Sequence, residues 1–138
     1  MNRTAAFTEI SELLAAFYGA LDDGTSEEAA ALFLPDGTWM RQGTLLTGPA
    51  EIRAALAERP EGRVTLHQFT NLRLTALADG ACEFAYALYV NVGQRDDEGR
   101  PGLNRVMAMM TCKDRAVATP HGWRFAARTA APRFHTEL

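Results

Sequence analysis

Hydrophobic residues near the start of the chain recur at the spacing of an amphipathic helix. They are Ile10, Leu13, Leu14, Phe17 and Leu21, and Gly24 closes the pattern. The pattern predicts one long helix with Thr4 or Thr8 as its N-cap, since either hydroxyl can accept a free backbone N–H. Tyr18 and Asp22 are four residues apart, so we expect them to share one helix face.

A second, shorter helix is predicted over Ser26–Leu34, with Ser26 as its N-cap. Pro35-Asp36-Gly37 then predicts a turn, because proline and glycine both interrupt regular structure. A short strand is expected at Thr38–Gln42, with Leu45-Leu46 as its hairpin partner. These segments join the long helix to the rest of the domain.

A third helix begins at Pro49, because proline suits the first helical position, and Arg59-Pro60 ends it. The chain then changes to strand-like segments, predicted at Val64–Leu77, Ala81–Gly93, Leu103–Lys113 and Gly122–Ala131. Turn residues are frequent in the separators, which are Ala78-Asp79-Gly80, Gln94–Gly102 and Asp114–His121.

Three helices followed by four long antiparallel strands predict an α+β domain. We expect a strongly curved sheet, mixed but mostly antiparallel, that wraps around the helices as a cone-shaped barrel. The open mouth of such a cone is the natural site for a small molecule. A length of 138 residues fits one domain spanning 1–138.

Charge and composition exclude several classes of partner. The formal net charge is −3 with acids and bases interspersed, so a nucleic-acid surface is not expected. Apolar runs are short, which argues against a membrane span, and residues 1–12 lack the apolar core of a signal peptide. We therefore expect a cytoplasmic protein without nucleic-acid or membrane partners.

Cysteine and histidine usage predicts no metal or disulfide. Cys82 and Cys112 both lie in apolar strand-like segments, which favours buried thiols. The three histidines (His67, His121 and His135) are too scattered for metal-ligand spacing. No nucleotide motif is present either, so the chemistry is expected to need no cofactor.

Several segments together resemble the SnoaL-like members of the nuclear transport factor 2-like superfamily. The matching residues are Phe17–Gly24, Ala31–Gly37, Gly48, Ile52, His67, Asn71 and Gly122–Ala126. The resemblance covers almost the whole chain and implies the cone-shaped fold. The superfamily includes dehydratases, isomerases, cyclases and non-catalytic modules, so the fold alone does not define a function.

Two enzyme families within the superfamily are more informative about the site residues. Tyr18 falls where ketosteroid isomerases have an oxyanion-stabilising tyrosine, but Met40-Arg41 stands where their general base would be. Asp22 and His67 match the aspartate and one histidine of scytalone dehydratase. That enzyme's second histidine and asparagine correspond to Tyr86-Ala87 and Met107. The chain thus resembles half of the dehydratase site.

His67 is the principal candidate for chemistry. Alternation along its strand places His67, Phe69 and Asn71 on one face unless a bulge intervenes. Histidine is the side chain whose ordinary pKa lies near neutrality, which suits proton transfer. Two interpretations stay open, a hydrogen-bonded core histidine or a general acid–base at the pocket floor.

Asp22 and Tyr18 are the predicted catalytic partners of His67. Asp22 either orients the imidazole or caps the end of its helix, and Asp23 is the alternative carboxylate if the helix is rotated. Tyr18 is either a wall residue or a hydrogen-bond donor to a substrate oxygen.

The remaining candidates are predicted to bind the substrate. They are Trp39, Asn71, Tyr86, Met107 and Arg128. The aromatic and methionine side chains suit an apolar pocket wall but fit an ordinary core equally well. Arg128 either binds a carboxylate or carbonyl, or pairs across the sheet. Phe134-His135 either closes the mouth or reaches a second subunit.

These residues predict a cofactor-independent dehydratase, isomerase or cyclase acting on a hydrophobic, oxygenated small molecule. The alternative is a non-catalytic binding or oligomerisation module; a small subunit of a dioxygenase is a weaker possibility. Ala81–Gly93 and Leu103–Lys113 carry apolar residues on both faces. We therefore expect a homodimer formed through the sheet.

Overall fold

The computed structural model describes residues 2–134, apart from the side chains of residues 103–107. The helices of this part are α1 (Arg3–Asp23), α2 (Ser26–Ala30) and α3 (Gly48–Ala57). The strands are β1 (Phe33–Arg41), β2 (Thr44–Thr47), β3 (Arg63–Ala78), β4 (Ala81–Arg95), β5 (Pro101–Thr119) and β6 (Gly122–Pro132). The predicted α+β architecture is confirmed.

The strands form one curved, unclosed sheet in the order β2-β1-β6-β5-β4-β3. Neighbouring strands are antiparallel except for β1 and β6, which run parallel. Helix α1 buries its apolar stripe in the core with side chains of β4 and β6. Ile10, Leu14 and Phe17 are fully buried there, and each contributes roughly 1.5–3 kcal/mol through burial.

The predicted N-caps of the first two helices were wrong. Asn2 caps α1, and its side-chain oxygen accepts the N–H of Ala5 at 3.1 Å. Thr8 instead donates its hydroxyl to the carbonyl of Thr4, a bond within the helix. Helix α2 is capped by Thr25, one residue before the predicted Ser26. A short polar side chain serves at each cap, but only the chain path determines which one is used.

The second helix is shorter than the predicted Ser26–Leu34, because β1 already begins at Phe33. Pro35-Asp36-Gly37, predicted as a turn, lies within this strand, where the pairing of β1 with β6 shifts register between Phe33 and Thr38. A Cβ on Gly37 would lie 2.6 Å from the carbonyl oxygen of Phe125. Glycine is needed here for close strand packing, not for a turn.

Strand β5 was predicted to end at Lys113 but continues to Thr119. Asp114 was assigned to the following separator, yet it pairs with Phe84 of β4 and Arg128 of β6 in the middle of the sheet. A charged residue in such a place is tolerated because a neighbouring strand supplies the opposite charge. Periodicity along one segment contains no information about that neighbour.

Two further expectations concern the cysteines and the membrane. Cys82 and Cys112 are free and buried, as predicted. Within residues 2–134, no helix has both the length and the apolar character required to cross a bilayer.

Candidate active site

A cavity of about 540 Å³ opens between the helices and the concave face of the sheet. Among the predicted site residues, Tyr18, Trp39, His67 and Arg128 line it. The apolar part of the wall comes mainly from Trp39 and from strands β4 and β5, through Leu88, Val90, Val92, Ala108 and Met110. The site therefore combines an apolar wall with a few polar groups, as small-molecule sites commonly do.

Asp22 and His67 are in direct contact at the wall of this cavity. Oδ1 of Asp22 lies 2.6 Å from Nδ1 of His67, and Oδ2 accepts the backbone N–H of His67 at 2.8 Å. The carboxylate is on the last turn of α1 and the imidazole is on β3. Because one carboxylate binds both the ring and the backbone of His67, it restricts the orientation of the imidazole.

The Asp22 carboxylate is itself held by residues that the sequence did not indicate. The Thr65 hydroxyl donates to Oδ1 of Asp22 at 2.9 Å, and Arg59 donates to that hydroxyl at 2.9 Å. Arg59 also donates to the carbonyl of Leu21 at 2.6 Å, which ties the end of α1 to β3. The only sequence signal for Thr65 was its position two residues before His67, on the same strand face.

These contacts determine the charge of Asp22. Burial alone would raise the pKa of the Asp22 carboxyl, but the hydrogen bonds and charge of His67 and the Thr65 hydroxyl outweigh it, so the pKa is lowered. Asp22 is therefore an ionised acceptor at neutral pH. An ionised carboxylate at Nδ1 places the ring proton there and leaves Nε2 as the basic nitrogen.

Tyr18 lies beside the imidazole on the neighbouring turn of α1. Its ring stacks on the His67 ring with centroids 5.3 Å apart and planes 18° from parallel. The spacing of four residues between Tyr18 and Asp22 accounts for this arrangement, because both then face β3. Tyr18 and Asp22 thus restrict the imidazole from two sides.

The hydroxyl of Tyr18 belongs to a buried hydrogen-bond network. It lies 2.8 Å from the Tyr86 hydroxyl, and Tyr86 donates to Oδ2 of Asp114 at 2.7 Å. Because the single Tyr86 proton goes to Asp114, Tyr18 must donate its own proton to Tyr86. Arg128 donates to the Tyr18 oxygen at 2.8 Å. The Tyr18 proton is therefore already used, which argues against the predicted donation to a substrate.

Burial also keeps the Tyr18 hydroxyl protonated. It raises the pKa of Tyr18 to about 12, although the nearby charge of Arg128 opposes the rise. Burial likewise raises the pKa of Tyr86 well above its ordinary value. Neither phenol is suited to exchange protons near neutral pH.

Arg128 and Asp114 form the charged centre of the network. Nε of Arg128 lies 3.0 Å from Oδ2 of Asp114, and both side chains are almost completely buried. The guanidinium carbon is 4.1 Å from the Phe17 ring centroid and 4.3 Å from that of Phe125. Arg128 is thus held between aromatic rings as well as by its carboxylate.

The buried environment of this pair affects the pKa of Asp114 and leaves two polar atoms without hydrogen-bond partners. Burial raises the pKa of Asp114, while the charge of Arg128 and the bonds from Tyr86 and Arg128 oppose the rise. Nη1 of Arg128 and Oδ1 of Asp114 have no hydrogen-bond partner among the described residues. Arg128 also lines the cavity, although Nη1 itself is fully buried.

The sequence profile of the SnoaL-like domain matches residues 2–129. The chain belongs to the SnoaL-like domain family. No curated protein matches its sequence.

Solved structures share the fold of this SnoaL-like domain. Aln2 from a Streptomyces species is 21% identical with a TM-score of 0.77, over 96% of this chain and 93% of that one. A Catenulispora acidiphila protein in complex with S-DNPA is 25% identical with a TM-score of 0.74, over 93% of both chains. A hexachlorocyclohexane dehydrochlorinase, LinA type 2, is 16% identical with a TM-score of 0.78, and the match covers 99% of this chain and 90% of that one.

Two predicted substrate-binding residues, Asn71 and Tyr86, do not line the cavity of this SnoaL-like domain, and the side chain of a third is outside the described residues. Asn71 is exposed at an irregularity of β3, where its φ of 57° interrupts the alternation from His67, so it does not line the cavity. Tyr86 is fully buried behind Tyr18 and supports the wall without lining it. The side chain of Met107 is outside the described residues, as is His135; Phe134 is exposed.

A cysteine thiol also lies in the cavity wall. Cys112 lines the cavity of the SnoaL-like domain, but burial raises the pKa of its thiol to about 11, so it stays protonated. Within residues 2–134, no group of three or more His, Cys, Asp or Glu side chains is placed to hold a metal ion. Asp23, the alternative carboxylate, is exposed.

Proposed function

We propose that this SnoaL-like domain is a small-molecule lyase or isomerase, of the dehydratase or cyclase type, whose chemistry is centred on His67. Its substrate is a hydrophobic, oxygenated metabolite that fills the cavity. The observation that carries the proposal is the 2.6 Å contact of Asp22 with Nδ1 of His67 at the cavity wall. That contact leaves Nε2 as a base beside a largely apolar binding space.

In a dehydration, Nε2 of His67 removes a proton from the carbon next to a carbonyl. The electron pair forms a carbon–carbon double bond, and the hydroxyl group on the neighbouring carbon leaves. The imidazolium returns the proton to that hydroxyl, which departs as water. Ionised Asp22 stabilises the imidazolium between the two steps. One histidine can therefore perform both transfers without a second one at Tyr86-Ala87.

Arg128 supplies the positive charge that such a reaction needs. Removal of a proton beside a carbonyl places negative charge on the carbonyl oxygen, and a preorganised donor stabilises that charge. The guanidinium of Arg128 lines the cavity and is fixed by Asp114 and two aromatic rings, so its positive charge fits this task. Trp39 and Met110 fit the apolar body of the substrate.

Two neighbours with the same fold are consistent with this class of function. One is named a hexachlorocyclohexane dehydrochlorinase, a name that describes an elimination from a small molecule. Another was solved in complex with a small molecule, S-DNPA. The non-catalytic alternative is less favoured, because a cavity of about 540 Å³ is retained and Asp22 still contacts His67.

Turnover of a synthetic β-hydroxy ketone tests the proposal directly. The aldol adduct of benzaldehyde and acetone loses water to give benzalacetone, whose ultraviolet absorption reports the rate. We expect His67→Ala to lower kcat/KM by about 100-fold or more, the usual contribution of general acid–base catalysis. His121→Ala is the matched control, because His121 is exposed in the turn before β6.

The assay can either support or contradict the role of His67. Acceleration by the parent protein and by His121→Ala, with loss in His67→Ala, supports the mechanism. Full activity in His67→Ala removes His67 from it. A folded parent protein that accelerates neither this elimination nor proton removal from nitrobenzisoxazole would favour the non-catalytic module.

We also propose that two copies pair through the outer face of the sheet. Leu66 and Tyr89 are 54% and 40% exposed on neighbouring strands β3 and β4, and Tyr89 is opposite Met109 of β5. Burial of these side chains in a dimer removes apolar area from water. Static light scattering at micromolar concentration is expected to give twice the chain mass of 15.1 kDa, and Tyr89→Glu is expected to lower it towards that mass. A monomeric parent protein would contradict the pairing.

A further inference from the structure

Two arginines at the open side of the cavity have no carboxylate bonded to them. Arg41 ends β1, Arg63 begins β3, and both line the cavity. Arg41 is half-buried and Arg63 is exposed. Among the described residues, neither guanidinium has an ion pair, whereas the buried Arg128 is paired with Asp114.

The other charged groups of the wall are occupied. Asp22 is bound to His67, and Asp114 to Arg128. Arg59 donates to the carbonyls of Leu21 and Arg63 and to the Thr65 hydroxyl. Outside the Asp114–Arg128 pair, the lining therefore has three guanidiniums, of Arg41, Arg59 and Arg63, against one carboxylate, that of Glu58. The cavity opening is therefore locally basic in a chain whose net charge is −3.

The guanidiniums of Arg41 and Arg63 are like charges in the wall of one cavity. Burial lowers the pKa of Arg41, the charge of Arg63 lowers it further, and Glu58 only partly compensates. The indole of Trp39 lies 5.6 Å from the Arg41 guanidinium carbon and restricts it. Two positive charges in one cavity wall repel each other when carboxylates compensate them only partly, and a bound anion reduces that repulsion.

We propose that Arg41 and Arg63 bind an anionic group of the ligand, a carboxylate or a phosphate, while its hydrophobic body extends into the cavity towards His67. Guanidiniums bind both groups through paired N–H donors, which favours this chemistry over a neutral polar group. Insofar as the ligand is the substrate of His67, the inference rests on the proposed function; the anion site itself does not. The site adds a charged end to the hydrophobic, oxygenated substrate.

Binding of matched probes tests the site without any turnover. The probes are naphthoate, naphthyl phosphate and the uncharged naphthamide, measured by isothermal titration calorimetry at low ionic strength. We expect the parent protein to bind at least one anionic probe at least about tenfold more tightly than naphthamide. We expect Arg41→Gln/Arg63→Gln to abolish that preference and to leave naphthamide binding unchanged. Added salt should weaken binding of the anionic probe alone.

Three controls separate the possible explanations. Arg53→Gln removes one positive charge, as each single variant does, from an exposed position of α3 and should preserve the preference. The single variants Arg41→Gln and Arg63→Gln are measured separately; Arg63 is exposed, so its replacement should not prevent folding. His67→Ala should keep the preference, so a failure of the proposed chemistry does not affect this measurement.

The comparison of the two anionic probes identifies the source of the charge. Tighter binding of naphthoate indicates a substrate with a free acid group, and tighter binding of naphthyl phosphate indicates a phosphate ester; either result supports the site. Equal binding of naphthamide and both anions to the parent protein would overturn it. Retention of the anion preference in the folded double variant would do the same.

Discussion

Two acid–base pairs connect elements of this domain, Asp22–His67 between α1 and β3 and Asp114–Arg128 between β5 and β6, and they differ in burial. Asp22 and His67 lie at the cavity wall, where 14% of the His67 side chain stays exposed. Asp114 and Arg128 lie in the core, where 4% of the Arg128 side chain is exposed and two tyrosines complete the hydrogen bonds. Both pairs are close contacts between unlike groups, but only the first contains an imidazole.

The difference separates a group that can react from the groups that hold it in place. The proton chain from Tyr18 through Tyr86 to Asp114 has no proton left for a ligand, and burial holds its phenols protonated. Its effect on the site is indirect, since it fixes the Tyr18 ring against His67. Replacement of Asp114 should therefore mainly reduce stability, and replacement of Asp22 or His67 should mainly reduce turnover.

The largest effect is expected for Asp114→Ala. The change leaves Arg128 buried without its carboxylate, which should lower the free energy of unfolding by about 3–5 kcal/mol. Urea denaturation followed by circular dichroism measures the loss, and Asp97→Ala in the exposed β4–β5 loop is the control. Addition of Arg128→Met should recover much of the stability. An unchanged midpoint in Asp114→Ala would show that the pair is not a structural requirement.

Asp22→Asn is expected to have the next largest effect, on turnover. An amide does not supply the negative charge that stabilises imidazolium, so kcat/KM for the β-hydroxy ketone should fall by about 100-fold, equivalent to ~2.7 kcal/mol. Asp23→Asn changes the same charge on the exposed neighbour and should retain activity. Activity lost equally in both variants would point to net charge and not to the contact with His67.

The smallest effect is expected for Tyr18→Phe. The ring that stacks on His67 remains, so kcat/KM should change by less than about tenfold, while loss of the bond to Tyr86 costs about 1 kcal/mol of stability. Tyr89→Phe on the exposed face is the control. A drop in kcat/KM comparable to that of His67→Ala would restore the role of proton donor that was predicted for Tyr18.

Much of the Asp22–His67 pair was predictable from the sequence. Asp22 ends a helix whose periodic face was clear, and His67 is an isolated imidazole in an apolar strand; the family resemblance then placed them together. Asp114 was missed, because it follows Lys113 and precedes Arg115 and so resembles a charged loop. Asn71 was misplaced, because its left-handed φ of 57° shifts the strand alternation that began at His67.

The sequence by itself determined the apolar stripe of α1, the order of helices and strands, and the residue types available for chemistry, because periodicity and turn residues act over a few neighbours. The tertiary structure alone decided that Asp114 meets Arg128, that the Tyr18 proton is used by Tyr86, and that Arg41 and Arg63 share one opening. Those contacts join residues from different strands or from helix and strand. Their geometry depends on how the sheet curves around α1, a property that no local segment contains.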